Sequence, residues 1–283
     1  MDARLKSGRI FFDTVTPRIL ERLKKVEKIH FVSCGTAYHA GLVGNYMLGE
    51  SVDLPIEATV SSEFRYEDPS INKKDLVILI TQSGETADTL AALREAKQKG
   101  AMTLAIVNVV GSTIAREADC VLYTHAGPEI GVASTKAYVA QLTVIALFAI
   151  FLAQNHPQRK KTFTAGKIQK LLAEILKLPV LIKETLRQEK EILKHAKSLF
   201  QKKNFLYIGR GYNYPNALEG ALKLKEITYA HAHGYPAGEM KHGPIALIDS
   251  EQPVICICPS TSKTYEKMIS NIQEIMARRG IIF

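Results

Sequence analysis

Short apolar runs alternate with longer amphipathic stretches along most of this 283-residue chain. In the first half the runs lie at residues 29–34, 57–60, 76–80, 102–107 and 120–123, and polar or glycine-containing turns separate them. Runs of this length are typical of buried strands, whereas the stretches between them have the length and periodicity of helices. This alternation predicts an α/β fold in which about five parallel strands form a sheet with helices on both faces.

The second half of the chain repeats this order of elements. An apolar run at 205–208 is followed by a glycine turn at 209–211 and a helical stretch from about 215 to 229, and a further run lies at 254–258. In each half a hydroxyl-rich turn and a helix follow the later run, which indicates a duplicated unit. Residues 280–283 begin what would be another strand. We therefore expect the second unit to be incomplete, about two strands and two helices short of the first.

These patterns divide the chain into four segments. We predict a linker with a short amphipathic helix at 1–28, a first sheet domain at 29–160, a helical connection at 161–202 and a second, truncated sheet domain at 203–283. Pro179 is expected to break the helical connection, because proline lacks the backbone N–H that an interior helical position requires.

Composition excludes several classes of protein. Hydrophobic residues make up 46% of the chain and the most apolar stretch, 142–153, is too short to cross a bilayer, so it is interpreted as a buried helix. The first residues lack the apolar core of a signal peptide. The net charge is +9, but the basic residues are spread over helical faces, which favours anionic metabolites over nucleic acid. We predict a cytoplasmic protein that binds neither membrane nor nucleic acid.

The four cysteines do not form a recognisable site. Cys34, Cys120, Cys256 and Cys258 lack the spacing of a disulfide framework or of a zinc site. Cys256 and Cys258 fall on one apolar strand, in which successive side chains alternate between the two faces. Cys34 ends a buried run and has no evident partner histidine, so packing is the expected role rather than nucleophilic attack. No metal site is predicted.

The turn at 81–86 is the most informative local motif. The apolar run before it leads into Thr81-Gln82-Ser83-Gly84-Glu85-Thr86, and a helical stretch follows. Backbone N–H groups at a helix start have no internal partner, and the helix dipole adds positive charge there. Hydroxyl groups can add donors, and a glycine lets the backbone approach a ligand closely. The motif therefore predicts a phosphate cradle, with an ordinary helix cap by Ser83 or Thr86 as the alternative.

Two further groups have the composition of a catalytic site. Glu219, Lys223 and Glu226 fall along one stripe of a predicted helix, where the alternative is a surface ladder of salt bridges. His242 follows a loop-like stretch at 233–239 whose glycines and proline argue against a regular helix. A lone histidine of this kind is either a catalyst or a structural hydrogen-bonding group.

Five motifs give the chain a specific resemblance. They are Cys34-Gly35-Thr36 and the stretches 81–89, 129–136, 219–226 and 238–244. In this order they resemble the isomerase region of glutamine:fructose-6-phosphate aminotransferase, or glucosamine-6-phosphate synthase, over nearly the whole chain. The resemblance implies two tandem sugar-isomerase (SIS) domains, each a parallel sheet between helices. It also implies conversion of fructose 6-phosphate, with ammonia, to glucosamine 6-phosphate by ketose–aldose isomerisation.

The resemblance also implies roles for individual residues. Glu226 would move a proton between C1 and C2 of the sugar, Lys223 would orient the site, and His242 would help to open the ring. Since the family's histidine reaches the neighbouring subunit's site, a homodimer is implied. The nitrogen would come from a glutaminase domain or from free ammonia, and neither a metal nor an organic cofactor is implied. The substrate-binding residues implied are Cys34, Gly35, Thr36, Thr81, Gln82, Ser83, Gly84, Thr86, Val132, Ala133 and Ser134.

The chain departs from the family at both ends. Family members carry a glutaminase domain with a terminal cysteine, whereas this chain starts Met1-Asp2-Ala3. They also carry a carboxyl-terminal lysine that forms a Schiff base with the sugar, whereas this chain stops at Phe283. Without that lysine, the alternative is a non-catalytic SIS module that binds a sugar phosphate. A third reading is an isomerase of another hexose phosphate.

Overall fold

The computed structural model describes residues 4–6 and 8–283. The chain divides into two compact units, Met1–Lys177 and Leu178–Phe283. Residues 1–3 and 7 of the predicted linker, and with them the Met1-Asp2-Ala3 start, lie outside the described residues.

The first unit opens with a short antiparallel ribbon, β1 (Leu5–Lys6) and β2 (Arg9–Ile10), and a helix, α1 (Pro17–Leu23). Thr16 precedes α1, and its hydroxyl accepts a hydrogen bond from the Ile19 N–H at 3.3 Å. Proline at the first helical position needs no hydrogen-bond partner, so the sequence sets the start of this helix.

A five-stranded parallel sheet forms the centre of the first unit. Its strands lie in the spatial order β4-β3-β5-β6-β7. They are β3 (Lys28–Ser33), β4 (Ile56–Val60), β5 (Asp75–Thr81), β6 (Met102–Val107) and β7 (Cys120–Tyr123). Every residue of β5 and β6 is buried, as expected for central strands covered on both faces. The predicted α/β sheet is therefore confirmed.

Helices cover both faces of this sheet. They are α2 (Gly35–Ser51), α3 (Ser61–Phe64), α4 (Ala87–Gln98), α5 (Thr113–Glu117) and α6 (Lys136–Asn155). The predicted helix at 38–48 begins earlier, so Gly35 and Thr36 belong to its first turn rather than to a preceding loop. Among the described residues, α6 is long and apolar enough to span a membrane. However, 67% of its most apolar 18-residue stretch is buried inside the protein, as in a core helix.

A buried histidine ties three neighbouring strands together. His30 of β3 lies with Nε2 3.0 Å from Asp75 Oδ2 of β5 and Nδ1 2.7 Å from Glu57 Oε1 of β4. The His30 and Asp75 side chains are only 1% and 3% exposed. Buried polar groups of this kind are stable in a core only when they have partners, so the three residues help to fix the alignment of the strands.

Two long helices follow the first sheet, α7 (Ala165–Leu186) and α8 (Glu189–Leu199). The prediction that Pro179 breaks this stretch is wrong, because α7 continues through Pro179 and ends at Leu186. Pro179 lies on an exposed face, where a carbonyl that loses its helical partner can bond to water. The residues around it are mostly strong helix formers, which offset the cost of one proline.

The second unit contains a four-stranded parallel sheet in the order β9-β8-β10-β11. Its strands are β8 (Asn204–Gly209), β9 (His231–Pro236), β10 (Pro253–Cys256) and β11 (Ile281–Ile282), and its helices are α9 (Asn213–Thr228) and α10 (Tyr265–Met276). This is the order of β4-β3-β5-β6 in the first unit, which supports the interpretation of a duplication. The expected strand at 254–258 ends at Cys256, so Cys258 lies beyond it.

The stretch expected to be loop-like at 233–239 is partly a strand. Residues 231–236 form β9 at the edge of the sheet, and a 3-10 helix, Ala237–His242, follows. The strand was not recognised from the sequence because it contains two histidines, a glycine and a proline in place of a run of apolar residues. Gly234 is needed there because a Cβ would lie 2.9 Å from the backbone of Leu218 in α9, and Pro236 is tolerated because it ends an edge strand.

Each unit packs an aromatic ring of its first central strand against a glycine of the next helix. A Cβ on Gly44 of α2 would lie 2.6 Å from the Phe31 ring, and one on Gly220 of α9 would lie 2.8 Å from the Tyr207 ring. The two glycines follow their rings at the same separation along the chain. The close approach of helix and sheet is thus part of what has been duplicated.

Candidate functional site

The carboxyl ends of β3 and β5 lie side by side in the first sheet, at the point where the strand order reverses. From β3 the chain leaves through α2 towards β4, and from β5 it leaves through α4 towards β6. Gly41 of α2 faces Phe31 and Ile80, whereas α4 packs in a cluster with Val77 and Leu79, so the two helices cover opposite faces. Open α/β sheets bind ligands in the crevice at such a reversal.

Residues 34–36 form one side of this crevice. Cys34 is the half-buried residue before α2, and its own side chain makes no capping bond to that helix. Gly35 has a positive φ of 55°, which turns the chain from strand into helix. The first amides of α2, Thr36 among them, lie at the carboxyl edge, where the helix dipole favours an anion.

Residues 81–86 form the other side. The buried Thr81 hydroxyl accepts a hydrogen bond from the Gly84 N–H at 3.1 Å, and the Ser83 hydroxyl accepts one from the Glu85 N–H at 3.2 Å. Both bonds shape the turn before the helix. Thr86 is the residue that precedes α4, yet its side chain makes no capping bond. The geometry therefore disfavours the helix-cap alternative, because neither the Ser83 nor the Thr86 hydroxyl accepts a bond from the first turn of α4.

Gly84 has a structural task that the sequence did not indicate. Its φ is 71°, and a Cβ built on it would lie 2.0 Å from Ser112 Oγ and 2.5 Å from Ser112 Cβ. The glycine thus admits the Ser112 side chain, which is a different reason from the expected approach to a ligand. Ser112 Oγ is buried and has no hydrogen-bond partner among the described residues.

Glu85 fixes the outer end of the turn to the next helix. Its Oε1 accepts a hydrogen bond from the Thr113 N–H at 2.8 Å, which lowers the pKa of the Glu85 carboxyl. The negative charge is thereby directed to the start of α5.

An open hollow of about 520 Å³ adjoins the turn at the carboxyl ends of β5, β6 and β7. Its lining residues include Gln82, Asn108, His125 and Glu129. The hollow is large enough for a sugar phosphate, and Gln82 connects it to the turn at 81–86.

The segment 124–135 borders this hollow and contains Val132, Ala133 and Ser134. It has no helix or strand, and Val132 is 92% exposed. Ser134 Oγ lies 3.4 Å from Glu129 Oε2, and the same carboxylate accepts the Ala137 N–H at 3.0 Å, at the start of α6. Sequence reasoning did not single out Asn108, and it included Glu129 only as the first residue of the motif 129–136. The position of Asn108, directly after a buried parallel strand, was the signal that could have found it.

In the second unit, Glu219, Lys223 and Glu226 form a charged stripe on α9. Lys223 Nζ donates to Glu226 Oε2 at 2.6 Å and lies 3.5 Å from Glu219 Oε1. The side chains are 8%, 16% and 27% exposed in chain order, so the stripe is not the exposed surface ladder of the alternative reading. Glu226 also lies in the last turn of α9, where the helix dipole disfavours a negative charge. The presence of a carboxylate at this position is therefore not explained by stabilisation of the helix.

His242 ends the 3-10 helix Ala237–His242 and is exposed. Among the described residues it makes no hydrogen bond or ion pair within the chain. Its neighbour Lys241 forms an ion pair with Glu274 of α10 at 2.8 Å, which lowers the pKa of Glu274. The Arg210 Nε–H donates to the buried Asn271 of the same helix at 3.0 Å. The ion pair of Lys241 therefore ties the segment that carries His242 to α10.

Two of the cysteines, Cys120 and Cys256, are poor nucleophiles in this structure. Burial raises the pKa of the Cys120 thiol to about 11 and that of the Cys256 thiol to about 12. Over the described residues, no group of three or more His, Cys, Asp or Glu side chains is arranged to hold a metal ion.

Comparison with known proteins places this geometry in a family. The SIS domain family matches residues 22–151 and 198–282. The isomerizing glutamine–fructose-6-phosphate aminotransferase of Chlorobaculum tepidum is 50% identical over 277 residues, which are 98% of this chain and 44% of that protein. The enzyme of the same name from Aquifex aeolicus is 51% identical over 92% of this chain and 42% of its own length. The chain thus spans less than half the length of these two relatives.

A solved structure agrees over the whole fold. The C-terminal domain of glucosamine-fructose-6-phosphate aminotransferase from Francisella tularensis is 39% identical, with a TM-score of 0.93, and the match covers 99% of this chain and 77% of that one. The chain therefore belongs to the SIS domain family and, within it, to the isomerase region of glutamine–fructose-6-phosphate aminotransferase.

Proposed function

We propose that this chain binds the phosphate of fructose 6-phosphate at the carboxyl edge of its first sheet. The observation that carries the proposal is the pair of helix starts, at 34–36 and 81–86, that follow the adjacent strands where the strand order reverses. Their amides and the hydroxyls of Thr36, Ser83 and Thr86 supply the donors that a phosphate requires. Gln82 and residues 132–134 are assigned to the sugar.

The reaction proposed is the ketose–aldose isomerisation that yields glucosamine 6-phosphate. Once ammonia has replaced the C2 carbonyl oxygen of the open-chain ketose as an imine, a base takes a proton from C1. A proton is then returned to C2, which leaves an aldehyde at C1 and an amine at C2 without net oxidation or reduction. We assign the base to Glu226, whose carboxylate Lys223 orients, and ring opening to His242.

The same proposal specifies partners. His242 is exposed within its own chain, which suits a group that acts in the neighbouring subunit of a homodimer. Ammonia comes from a glutaminase domain or from solution, and the chemistry needs neither a metal nor an organic cofactor. An enzyme of amino-sugar synthesis that uses these metabolites works in the cytoplasm.

Calorimetric titration of the chain with fructose 6-phosphate and glucosamine 6-phosphate tests the binding site. Ser83→Ala should weaken both about tenfold or more, because a hydrogen bond to a charged group contributes roughly 1.5–3 kcal/mol. Ser270→Ala is the control, since Ser270 is exposed on α10 and donates to Glu266 of its own helix. Equal affinity of the wild type and Ser83→Ala would refute the cradle.

Two conversions to glucose 6-phosphate test the chemistry: isomerisation of fructose 6-phosphate, and hydrolytic conversion of glucosamine 6-phosphate with uptake of water and release of ammonia. Glu226→Gln should abolish turnover and leave affinity nearly intact, and Glu189→Gln on the exposed face of α8 is the control. Loss of binding in Glu226→Gln would make Glu226 a structural residue. Binding without turnover by the wild type would instead identify a sugar-phosphate-binding SIS module, and absence of both would refute the proposal.

A further inference from the structure

We propose that Asn108 and Glu129 are positioning residues that hold the segment 124–135 where it selects the sugar part of the ligand. This inference rests on the proposed function, because it assigns that segment to the sugar and the turn at 81–86 to the phosphate. Neither residue stands in the motifs as a ligand-binding group.

Asn108 holds one end of the segment with three hydrogen bonds from a single side chain. Its Oδ1 accepts from Thr124 Oγ1 at 3.0 Å and from the Ala126 N–H at 2.8 Å, and its Nδ2 donates to the Gly127 carbonyl at 2.8 Å. The Asn108 N–H also donates to the Gln82 carbonyl at 3.3 Å. One residue therefore connects the segment to the turn that we assign to the phosphate.

The bonds of Asn108 hold a backbone that would not adopt this path unaided. His125 and Gly127 both have positive φ, 52° and 71°, and the histidine is in a region that residues with a Cβ rarely occupy. Because three bonds converge on the residues around His125, removal of the amide should release this end of the segment.

Glu129 holds the other end. Its Oε2 accepts the Ala137 N–H at 3.0 Å and lies 3.4 Å from Ser134 Oγ, while Oε1 lies 3.5 Å from the Thr135 N–H. The carboxylate thus caps α6 from seven residues before its first helical residue and closes residues 130–134 into a loop. The position of Val132 and Ala133 follows from that closure, since Val132 is almost fully exposed and gains no support from packing.

The phosphate turn does not depend on these bonds for its shape. Thr81 and Ser83 order it through their own hydroxyls, and Glu85 ties it to α5. Loosening the segment 124–135 should therefore weaken binding of the whole sugar phosphate while leaving binding of the bare anion unchanged. This selectivity separates a positioning role from a general loss of structure.

The experiment compares fructose 6-phosphate with inorganic phosphate by calorimetry on the full chain. In Asn108→Ala and Glu129→Ala, affinity for fructose 6-phosphate should fall about tenfold, as expected for misplacement of a contacting loop, and affinity for inorganic phosphate should stay within twofold. Glu129→Gln keeps one acceptor oxygen and should recover part of the loss. The control, Asn72→Ala, removes an exposed asparagine that accepts from the Lys74 N–H before β5, and both affinities should be unchanged.

Hydrogen exchange of residues 124–135 supplies a second readout, with faster exchange expected in both alanine variants. Equal loss for the two ligands, an unchanged affinity for fructose 6-phosphate, or no recovery in Glu129→Gln would overturn the positioning role. A wild-type chain that binds neither ligand would refute the proposed function itself, which is a separate result.

Discussion

Replacement of Gly84 by alanine tests how the turn at 81–86 is built. The variant has two costs. A residue with a Cβ at a φ of 71° is less stable than glycine by about 1–2 kcal/mol. The new Cβ would also lie 2.0 Å from Ser112 Oγ and 3.1 Å from Val107 Cγ2, and overpacking of this kind costs roughly 1–3 kcal/mol. The expected loss of unfolding free energy is therefore about 2–5 kcal/mol.

Gly111→Ala isolates the first of these costs. Gly111 has a φ of 73°, but a Cβ there would meet nothing within 4 Å. Urea unfolding, followed by far-ultraviolet circular dichroism because the chain contains no tryptophan, should place Gly84→Ala well below Gly111→Ala. Ser112→Gly removes both clashing atoms of Ser112, so its combination with Gly84→Ala should show a favourable coupling energy. If Gly84→Ala costs no more than Gly111→Ala, the steric argument for Gly84 is wrong.

Three further predictions concern buried groups. Asp75→Ala should cost about 3–5 kcal/mol of unfolding free energy, because it leaves His30 buried without one of its two carboxylate partners, and a loss below about 1 kcal/mol in urea unfolding would contradict this. Burial lowers the pKa of His156, whose Nδ1 accepts from the Gln158 N–H. The stabilisation by the neutral ring is therefore fully present at pH values above 6.5, the ordinary pKa of histidine. It is lost as the pH falls through the lowered pKa of the folded protein. His156→Gln should flatten the decline in unfolding free energy between pH 7 and about pH 5, and an unchanged profile would exclude His156 as its source. Because burial raises the pKa of Cys120 to about 11, iodoacetamide at pH 8 should modify it far more slowly in the native chain than in urea, and equal rates by mass spectrometry would refute its burial.

The sequence predicted the strands of the first unit well because their signal is local. The runs at 102–107 and 120–123 coincide with β6 and β7, since apolar residues fill them and polar turns bound them. β9 gave no such signal, because its edge position admits histidine, glycine and proline in place of apolar residues. At Pro179 the sequence predicted a break where the structure has a helix, because the helix formers on either side outweigh the local preference of proline.

The candidate site divides in the same way. Hydroxyls beside a glycine after a buried strand indicated the turn at 81–86 from sequence alone. The partner of Gly84 was not predictable, because Ser112 reaches it from beyond the next strand. The bonds of Asn108 and Glu129 join residues that only the folded sheet edge brings together. Motifs therefore identify groups that contact a ligand more readily than the groups that hold them.

The contact of an aromatic ring with a helix glycine, which each unit contains once, bears on how the two units fold. The two units have nearly equivalent sites at which a helix packs on a sheet, one formed by Phe31 with Gly44 and the other by Tyr207 with Gly220. Repeated units of one chain can exchange elements while they fold, and such an exchange would pack α9 of the second unit against Phe31 of the first. The order of synthesis disfavours this exchange, because α2 is synthesised directly after β3. Its Gly44 can pack against Phe31 before α9 has been synthesised. We expect refolding of the complete chain from denaturant, where all segments are present at once, to be less efficient than folding during translation.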